Sequence, residues 1–170
     1  MRARRADDGS RLAPRMSEVR IRPGARADRE FVEELGKRTL PDSVAAFRVA
    51  TPAPMLDIAF ERLLQFVYDQ DHGFFIAENA GRRAGFVLTI EAMPDEVTLI
   101  PQAFVAYMAV EPAFRRTGVA AALLAHAEGA ARDLGMPYMA LMVTEENEAA
   151  RRLYESAGYF TERRLLCKIL

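Results

Sequence analysis

Residues 104–121 read FVAYMAVEPAFRRTGVAA, and this stretch indicates how the centre of the chain folds. The run from Phe104 to Val110 is apolar on both faces, which is typical of a central strand covered on both sides. A short turn follows, and a helix is predicted to begin near Thr117 and Gly118. The first backbone N–H groups of a helix have no partner within it, and they lie at the positive end of its dipole. The strand, turn and helix start therefore form a candidate anion site.

The composition of the turn favours a phosphate. Arg115 and Arg116 add positive charge, Gly118 lets an anion approach the backbone, and Ala120 keeps the next turn slim. A Walker loop is excluded because the turn has no lysine, and a dinucleotide fingerprint lacks its other glycines. An ordinary strand–turn–helix with a solvated basic turn is the alternative interpretation.

Hydrophobic periodicity predicts a strand, two helices, a hairpin, and then strands and helices in alternation. This pattern is typical of a mixed-sheet α/β domain. Prolines between Leu40 and Pro54 exclude a regular helix there. The predicted elements are strand Val19–Arg22, a helix capped by Asp28, a helix from Met55 to Tyr68, hairpin strands Phe74–Ala77 and Gly85–Ile90, strand Phe104–Val110, helix Gly118–Leu134, strand Tyr138–Val143, helix Asn147–Ala157 and a last strand Tyr159–Ile169.

Composition limits the classes of function. A length of 170 residues with 51% hydrophobic residues indicates one globular domain. Because 23 basic side chains face 24 acidic ones, a generally basic nucleic-acid surface is disfavoured. A single cysteine excludes an internal disulfide, no cluster has zinc-ligand spacing, and no apolar run approaches the ~20 residues of a membrane span. We expect a cytoplasmic protein without metal, with residues 1–16 as a disordered tail and 17–170 as one domain.

Two motifs carry a resemblance to a known family. Arg115-x-x-Gly118-x-Ala120 resembles the R/Q-x-x-G-x-G/A signature of the GNAT superfamily of N-acetyltransferases, which bind acetyl-coenzyme A (acetyl-CoA). Residues 147–159, NEAARRLYESAGY, are similar to the family's second signature. The resemblance implies a mostly antiparallel sheet with one splayed parallel strand pair and helices on both faces. It also implies acetyl transfer to a primary amine of a small molecule or peptide, by direct attack in a ternary complex, and a homodimer.

The resemblance further implies where acetyl-CoA binds. Pantetheine would lie between the splayed strands, the pyrophosphate on the turn, and the sulfur near the Tyr154 hydroxyl. The acceptor would enter beside the Leu40–Pro54 connection and the Glu91–Gln102 loop. The implied acetyl-CoA contacts are Met108, Ala109, Val110, Arg115, Arg116, Thr117, Gly118, Val119, Ala120, Ala121, Asn147 and Tyr154.

The catalytic groups are less defined by sequence. The family often places a carboxylate on one of the two splayed strands, but Phe104–Val110 has none, and Met142 stands where one subset has glutamate. Candidate catalytic residues are Tyr154 as an acid, Tyr107 as a group that orients a water between the splayed strands, and Glu91 as a residue lining the cleft. The alternatives are a structural tyrosine at each position and a solvated Glu91. For the whole chain, the alternative function is a catalytically weak acyl-CoA-binding regulatory module.

Overall fold

We describe a computed structural model of the chain, covering residues 19–48, 52–69 and 73–170. The expected tail at 1–16 lies outside the described residues. The described part contains a five-stranded sheet in which sequence order and spatial order coincide. The first four strands pair antiparallel, whereas the fourth and fifth pair parallel. The strands are β1 Val19–Pro23, β2 Phe74–Asn79, β3 Arg82–Pro94, β4 Pro101–Val110 and β5 Met139–Leu141.

Helices cover both faces of the sheet, as the family resemblance implies. Two of them bury one apolar cluster against one face, and a third buries a second cluster against the other. The connection from residue 40 to residue 48 forms only short 3-10 turns, which confirms the expected effect of its prolines. The helices are α1 Arg29–Thr39, α2 Ala53–Asp69, α3 Val119–Asp133 and α4 Glu148–Ser156.

A β-bulge in β4 separates it from β5. Leu88 of β3 lies opposite Tyr107, but the next residue of β3 lies opposite Val105, so Ala106 is the additional residue. Ala106 and Tyr107 consequently both pack against the α1–α2 side. The parallel pairing with β5 ends at the same level, at Val105 and Leu141. Beyond this point the two strands share no ladder, and we call the gap between them the fork. Because the ladder between β4 and β5 ends at Val105 and Leu141, β5 is shorter than the predicted strand Tyr138–Val143.

The predicted last strand at Tyr159–Ile169 is wrong. Residues 159–170 form no regular element, and every residue after Tyr159 is exposed. The segment lacks strand-like alternation because charged residues precede two adjacent apolar pairs, Leu165–Leu166 and Ile169–Leu170. Its polar contacts lie outside the sheet, where Arg163 Nη2 donates to Asp95 Oδ2 at 2.6 Å. A strand of three residues also offers few backbone groups for pairing.

The start of α1 also differs from expectation. Asp28 stands at the N-cap position, but its side chain accepts no hydrogen bond from the amides of α1. Its carboxylate instead accepts two bonds from Arg22, at 2.7 and 2.9 Å, and one from the Ala25 amide at 2.9 Å. The residue is 4% exposed. Asp28 therefore ties the beginning of α1 to β1 instead of capping the helix.

Candidate active site

The start of α3 has the geometry that an anion site requires. Gly118 is the N-cap residue and adopts a left-handed conformation with φ of +88°. Nothing lies within 4 Å of the position that a Cβ would take, so the approach to the backbone is open. The Ala122 amide makes the first bond of the helix, to the Gly118 carbonyl at 3.0 Å. The amides before it stand at the exposed helix start, as the turn sequence predicts.

Charged side chains surround this helix start. Arg115 and Arg116 are both exposed, and Arg116 has a φ of +63°. The Arg115 guanidinium lies 3.8 Å from an oxygen of Asp42, and its Nε donates to the Val110 carbonyl at 3.4 Å. The Thr117 hydroxyl donates to the Phe114 carbonyl at 2.7 Å, which fixes the turn. The turn therefore presents two guanidinium groups beside the end of β4.

Tyr107 is held rigidly on the β4 side of the fork. Its ring makes an edge-on contact with Phe60, with centroids 5.1 Å apart, and a stacked contact with Phe86 at 6.0 Å. Its hydroxyl lies 3.0 Å from the Thr39 hydroxyl at the end of α1. Burial is the main cause that raises the pKa of Tyr107. The phenol is therefore neutral at physiological pH.

Tyr154 approaches the fork from the opposite layer. It lies on α4 and packs against the buried cluster beneath α3, against which Met108 and Val110 of β4 also pack. The edge of the Tyr159 ring contacts it, with centroids 5.9 Å apart. Burial raises the pKa of Tyr154, and the electrostatic effect of Tyr107 raises it further. We therefore expect the two tyrosines to face the fork, Tyr107 from β4 and Tyr154 from α4.

The other implied acetyl-CoA contacts lie along the same edge. Met108, Ala109 and Val110 end β4, and Val119, Ala120 and Ala121 form the first turn of α3. Asn147 has a second role that the sequence did not indicate. It is the N-cap of α4, and its Oδ1 accepts from the Ala150 amide at 3.2 Å. Because Oδ1 accepts this bond, the side-chain NH2 group of Asn147 is the group that would donate to a ligand.

Glu91 lies within β3 and not just past its end. The sequence placed it just past a strand, whereas β3 continues to Pro94 because its pairing with β4 extends to Pro101. Glu91 lines a cavity of about 360 Å³ near the start of β2, together with Gly73 and Tyr68. Neither Tyr107 nor Tyr154 lines that cavity. A role for Glu91 at the fork remains a prediction.

The connection after α1, residues 40–48, contacts the segment that follows β5 and so crosses the mouth of the fork. The sequence did not indicate these contacts. The Thr144 hydroxyl donates to the Ser43 carbonyl at 2.6 Å, and the Ala46 amide donates to Glu146 at 3.4 Å. Asp42, in the same segment, faces Arg115. These partners are 73 to 101 positions apart in the chain, so local periodicity contains no signal for them. The only advance indication was the family resemblance, which placed the acceptor entrance at this connection.

Within residues 19–48, 52–69 and 73–170, no group of three His, Cys, Asp or Glu side chains is arranged to hold a metal ion. In the same ranges, no helix has the length and apolar character that crossing a membrane requires.

Comparison with known proteins agrees with this geometry. The profile of the acetyltransferase (GNAT) family matches residues 40–159. Mycothiol acetyltransferase from Thermobispora bispora is 39% identical over 87 residues, which is 51% of this chain but 30% of that enzyme. The chain therefore matches less than a third of the length of this curated relative.

Solved structures show the same fold over most of the chain. A Pyrococcus furiosus protein assigned as an acetyl transferase superposes with a TM-score of 0.75 at 25% identity, covering 90% of this chain and 100% of that one. The aminoglycoside N-acetyltransferase AAC(6')-Iy, solved in complex with CoA, gives a TM-score of 0.69 at 24% identity, covering 94% and 99%. On the strength of the profile match, which spans both motifs and both walls of the fork, the chain belongs to the acetyltransferase (GNAT) family.

Proposed function

We propose that the protein transfers an acetyl group from acetyl-CoA to a primary amine of a small molecule or peptide. One observation carries the proposal. The parallel ladder between β4 and β5 ends at Val105 and Leu141, Tyr107 follows on β4 just beyond that point, and α3 begins with an open backbone at Gly118 a short turn after β4. This arrangement supports a diphosphate site at the start of α3 and a thioester site in the fork.

The residues fit acetyl-CoA at both ends. The open backbone at Gly118 and the guanidinium groups of Arg115 and Arg116 suit a pyrophosphate. Beyond Val105 the edge of β4 that faces β5 has no ladder partner, so its backbone is available to pantetheine as an added strand would use it. Met108, Ala109 and Val110 supply this edge.

The reaction requires a neutral amine, because an alkyl ammonium has a pKa near 10 and no lone pair for attack. A C–N bond forms to the acetyl carbon while the C–S bond breaks, and the electron pair of that bond moves to sulfur. We assign Tyr154 as the donor to the departing sulfur, since its raised pKa keeps the phenol protonated at neutral pH. The amine loses one proton to water before attack. Tyr154 then gives its proton to the departing sulfur, and the second amine proton restores the Tyr154 hydroxyl through water.

The acceptor class rests on similarity to related enzymes. AAC(6')-Iy has also been solved with a bisubstrate analogue, CoA-S-monomethyl-acetylneamine, and the Thermobispora bispora relative is named mycothiol acetyltransferase. For this chain we propose entry beside residues 40–48, which cross the mouth of the fork. Proximity of the aligned amine and thioester would then supply much of the rate enhancement.

The test is release of free thiol from acetyl-CoA across a panel of amines, with the mass of the acetylated product as the second readout. We expect turnover with at least one amine, and a gain of one acetyl group on it. Binding of acetyl-CoA without thiol release on any amine would contradict the proposal and favour a regulatory acyl-CoA-binding module. Failure to bind acetyl-CoA at all would contradict both.

We also propose that residues 17–170 act as a single domain, that the protein is a cytoplasmic homodimer, and that it uses no nucleic-acid or membrane partner.

The argument for the dimer is the exposed apolar C-terminal segment. Its large side chains Phe160, Leu165, Leu166, Ile169 and Leu170 are each at least 75% exposed. Contiguous exposed apolar groups of this kind are typical of interfaces.

A further inference from the structure

Thr39 contacts the Tyr107 hydroxyl from the end of α1. It is the last residue of α1, is 8% exposed, and places its Oγ1 3.0 Å from the Tyr107 hydroxyl oxygen. The same Oγ1 lies 2.8 Å from the Leu35 carbonyl and 3.3 Å from that of Gly36. One threonine hydroxyl is therefore shared between backbone carbonyls and the phenol at the fork.

The carbonyl contacts determine which hydroxyl donates to which. A carbonyl oxygen can only accept, so the single hydrogen of the Thr39 hydroxyl is directed to Leu35. The hydrogen in the bond between Thr39 and Tyr107 then comes from Tyr107, whose hydroxyl also hydrogen-bonds to the Ser43 side chain. With its hydrogen on Thr39 and one lone pair used by the Ser43 hydroxyl, the Tyr107 oxygen keeps one lone pair for a further group that donates to it.

We infer that Thr39 is a positioning residue for the amine acceptor, because it engages the Tyr107 proton and leaves the phenol oxygen as an acceptor for the amine N–H. Phe60 and Phe86 fix the ring, so the oxygen position is fixed as well. An amine that donates one N–H to this oxygen has its lone pair oriented by the same contact. The inference rests on the proposed function and adds the group that orients the acceptor.

The kinetic test compares Thr39→Val, Thr39→Ser and Tyr107→Phe with the parent. We expect kcat/KM for the amine to fall about tenfold in Tyr107→Phe and about fivefold in Thr39→Val, the size of one lost hydrogen bond. Binding of acetyl-CoA should stay within about twofold, and Thr39→Ser should keep most of the parent activity because it keeps the hydroxyl. Tyr68→Phe is the matched control, since Tyr68 also packs on the α1–α2 side of the core and its buried hydroxyl has no partner among the described residues.

The double variant separates positioning from simple structural damage. If Thr39 acts through Tyr107, Thr39→Val should cost nothing further in the Tyr107→Phe background. Equal losses in both backgrounds would overturn the inference. So would an unchanged kcat/KM in Tyr107→Phe while the parent acetylates amines, a result that leaves the proposed function intact.

A measurement without activity tests the hydrogen bond itself. In proton NMR of the parent, the Tyr107 hydroxyl proton should exchange slowly and show contacts to Thr39. That signal should disappear in Tyr107→Phe and exchange rapidly in Thr39→Val. Its absence from the parent would overturn the inference, whether or not acetyl transfer is detected.

Discussion

The two walls of the fork are built differently. The β4 wall is paired with β3 along most of its length, and its tyrosine is fixed by two rings and a hydroxyl. The opposite wall consists of a three-residue strand and a helix of nine residues. We propose that the β4 wall, the rigid wall, orients the acceptor, and that the opposite, adjustable wall accommodates acetyl-CoA.

The largest effect on acetyl-CoA binding is expected at the proposed diphosphate site, at the start of α3. Gly118→Glu places bulk and negative charge in the open space at the start of α3. Acetyl-CoA at 100 times its Kd should stabilise the parent by about 2.7 kcal/mol, and the resulting rise in Tm should vanish in the variant. Thermal unfolding with and without acetyl-CoA measures this.

Gly135→Glu provides the matched control. Gly135 lies just beyond the other end of α3, with φ of +74° and open space around it, so the backbone strain is similar. Its ligand-induced rise in Tm should equal that of the parent. A full rise in Gly118→Glu would show that the diphosphate binds elsewhere.

The second effect concerns how the rigid wall is anchored. Asp28 ties α1 to β1 through Arg22, whose hydrogen bonds are the main cause that lowers the carboxyl pKa. We expect Asp28→Asn to lower the free energy of unfolding by about 2–3 kcal/mol at neutral pH, because it leaves Arg22 without its buried partner.

This contribution has a defined pH dependence. The folded-state pKa of Asp28 lies below the unfolded value of 3.8, so the stabilisation is complete above that value and is lost as the pH falls through the folded-state pKa. Urea unfolding at several pH values measures it, with the exposed Asp133→Asn as control. A difference between parent and Asp28→Asn that persists undiminished at the lowest pH would contradict this assignment.

A third effect tests the adjustable wall. Tyr154→Phe keeps the ring and removes the donor to the leaving sulfur. We expect kcat to fall at least about tenfold while acetyl-CoA affinity changes by less than about threefold, because the hydroxyl acts mainly in the transition state. Since burial raises the pKa of Tyr154, the phenol should not titrate in the neutral range.

Tyr159→Phe is the control for this variant. It removes a hydroxyl from the ring that contacts Tyr154 and leaves the ring contact itself. Its kcat should stay within about twofold of the parent. A kcat of Tyr154→Phe in that same range would show that sulfur leaves without the phenol, and equal losses in binding and turnover would indicate a structural tyrosine.

The smallest effect on activity is expected from the C-terminal segment. If its apolar residues pack against a second copy, the double variant Leu165→Asp/Leu166→Asp should convert a dimer into a monomer. Binding of acetyl-CoA should change little, because the segment lies outside the fork. Light scattering measures the assembly, and a parent that shows only a 19.0 kDa species at micromolar concentration would contradict the proposed dimer.

The comparison of the walls also shows where sequence reasoning succeeds. Continuous apolar runs and turn residues predicted the antiparallel strands, and the turn at Gly118 was expected from its sequence alone. The bulge at Ala106 was not, because an additional strand residue leaves no mark in an apolar run. The contact between Thr39 and Tyr107 joins residues 68 positions apart, beyond any local pattern. The last strand failed because apolar content alone does not supply a pairing edge.

The central claim is that the sulfur of acetyl-CoA lies in the fork between the two tyrosines. A crystal structure with CoA tests it most directly. We expect the sulfur between β4 and β5, with the Tyr154 hydroxyl within about 3.5 Å of it and the Tyr107 oxygen facing the same space. A sulfur outside this gap, or a Tyr154 hydroxyl turned away from it toward the core, would contradict the account.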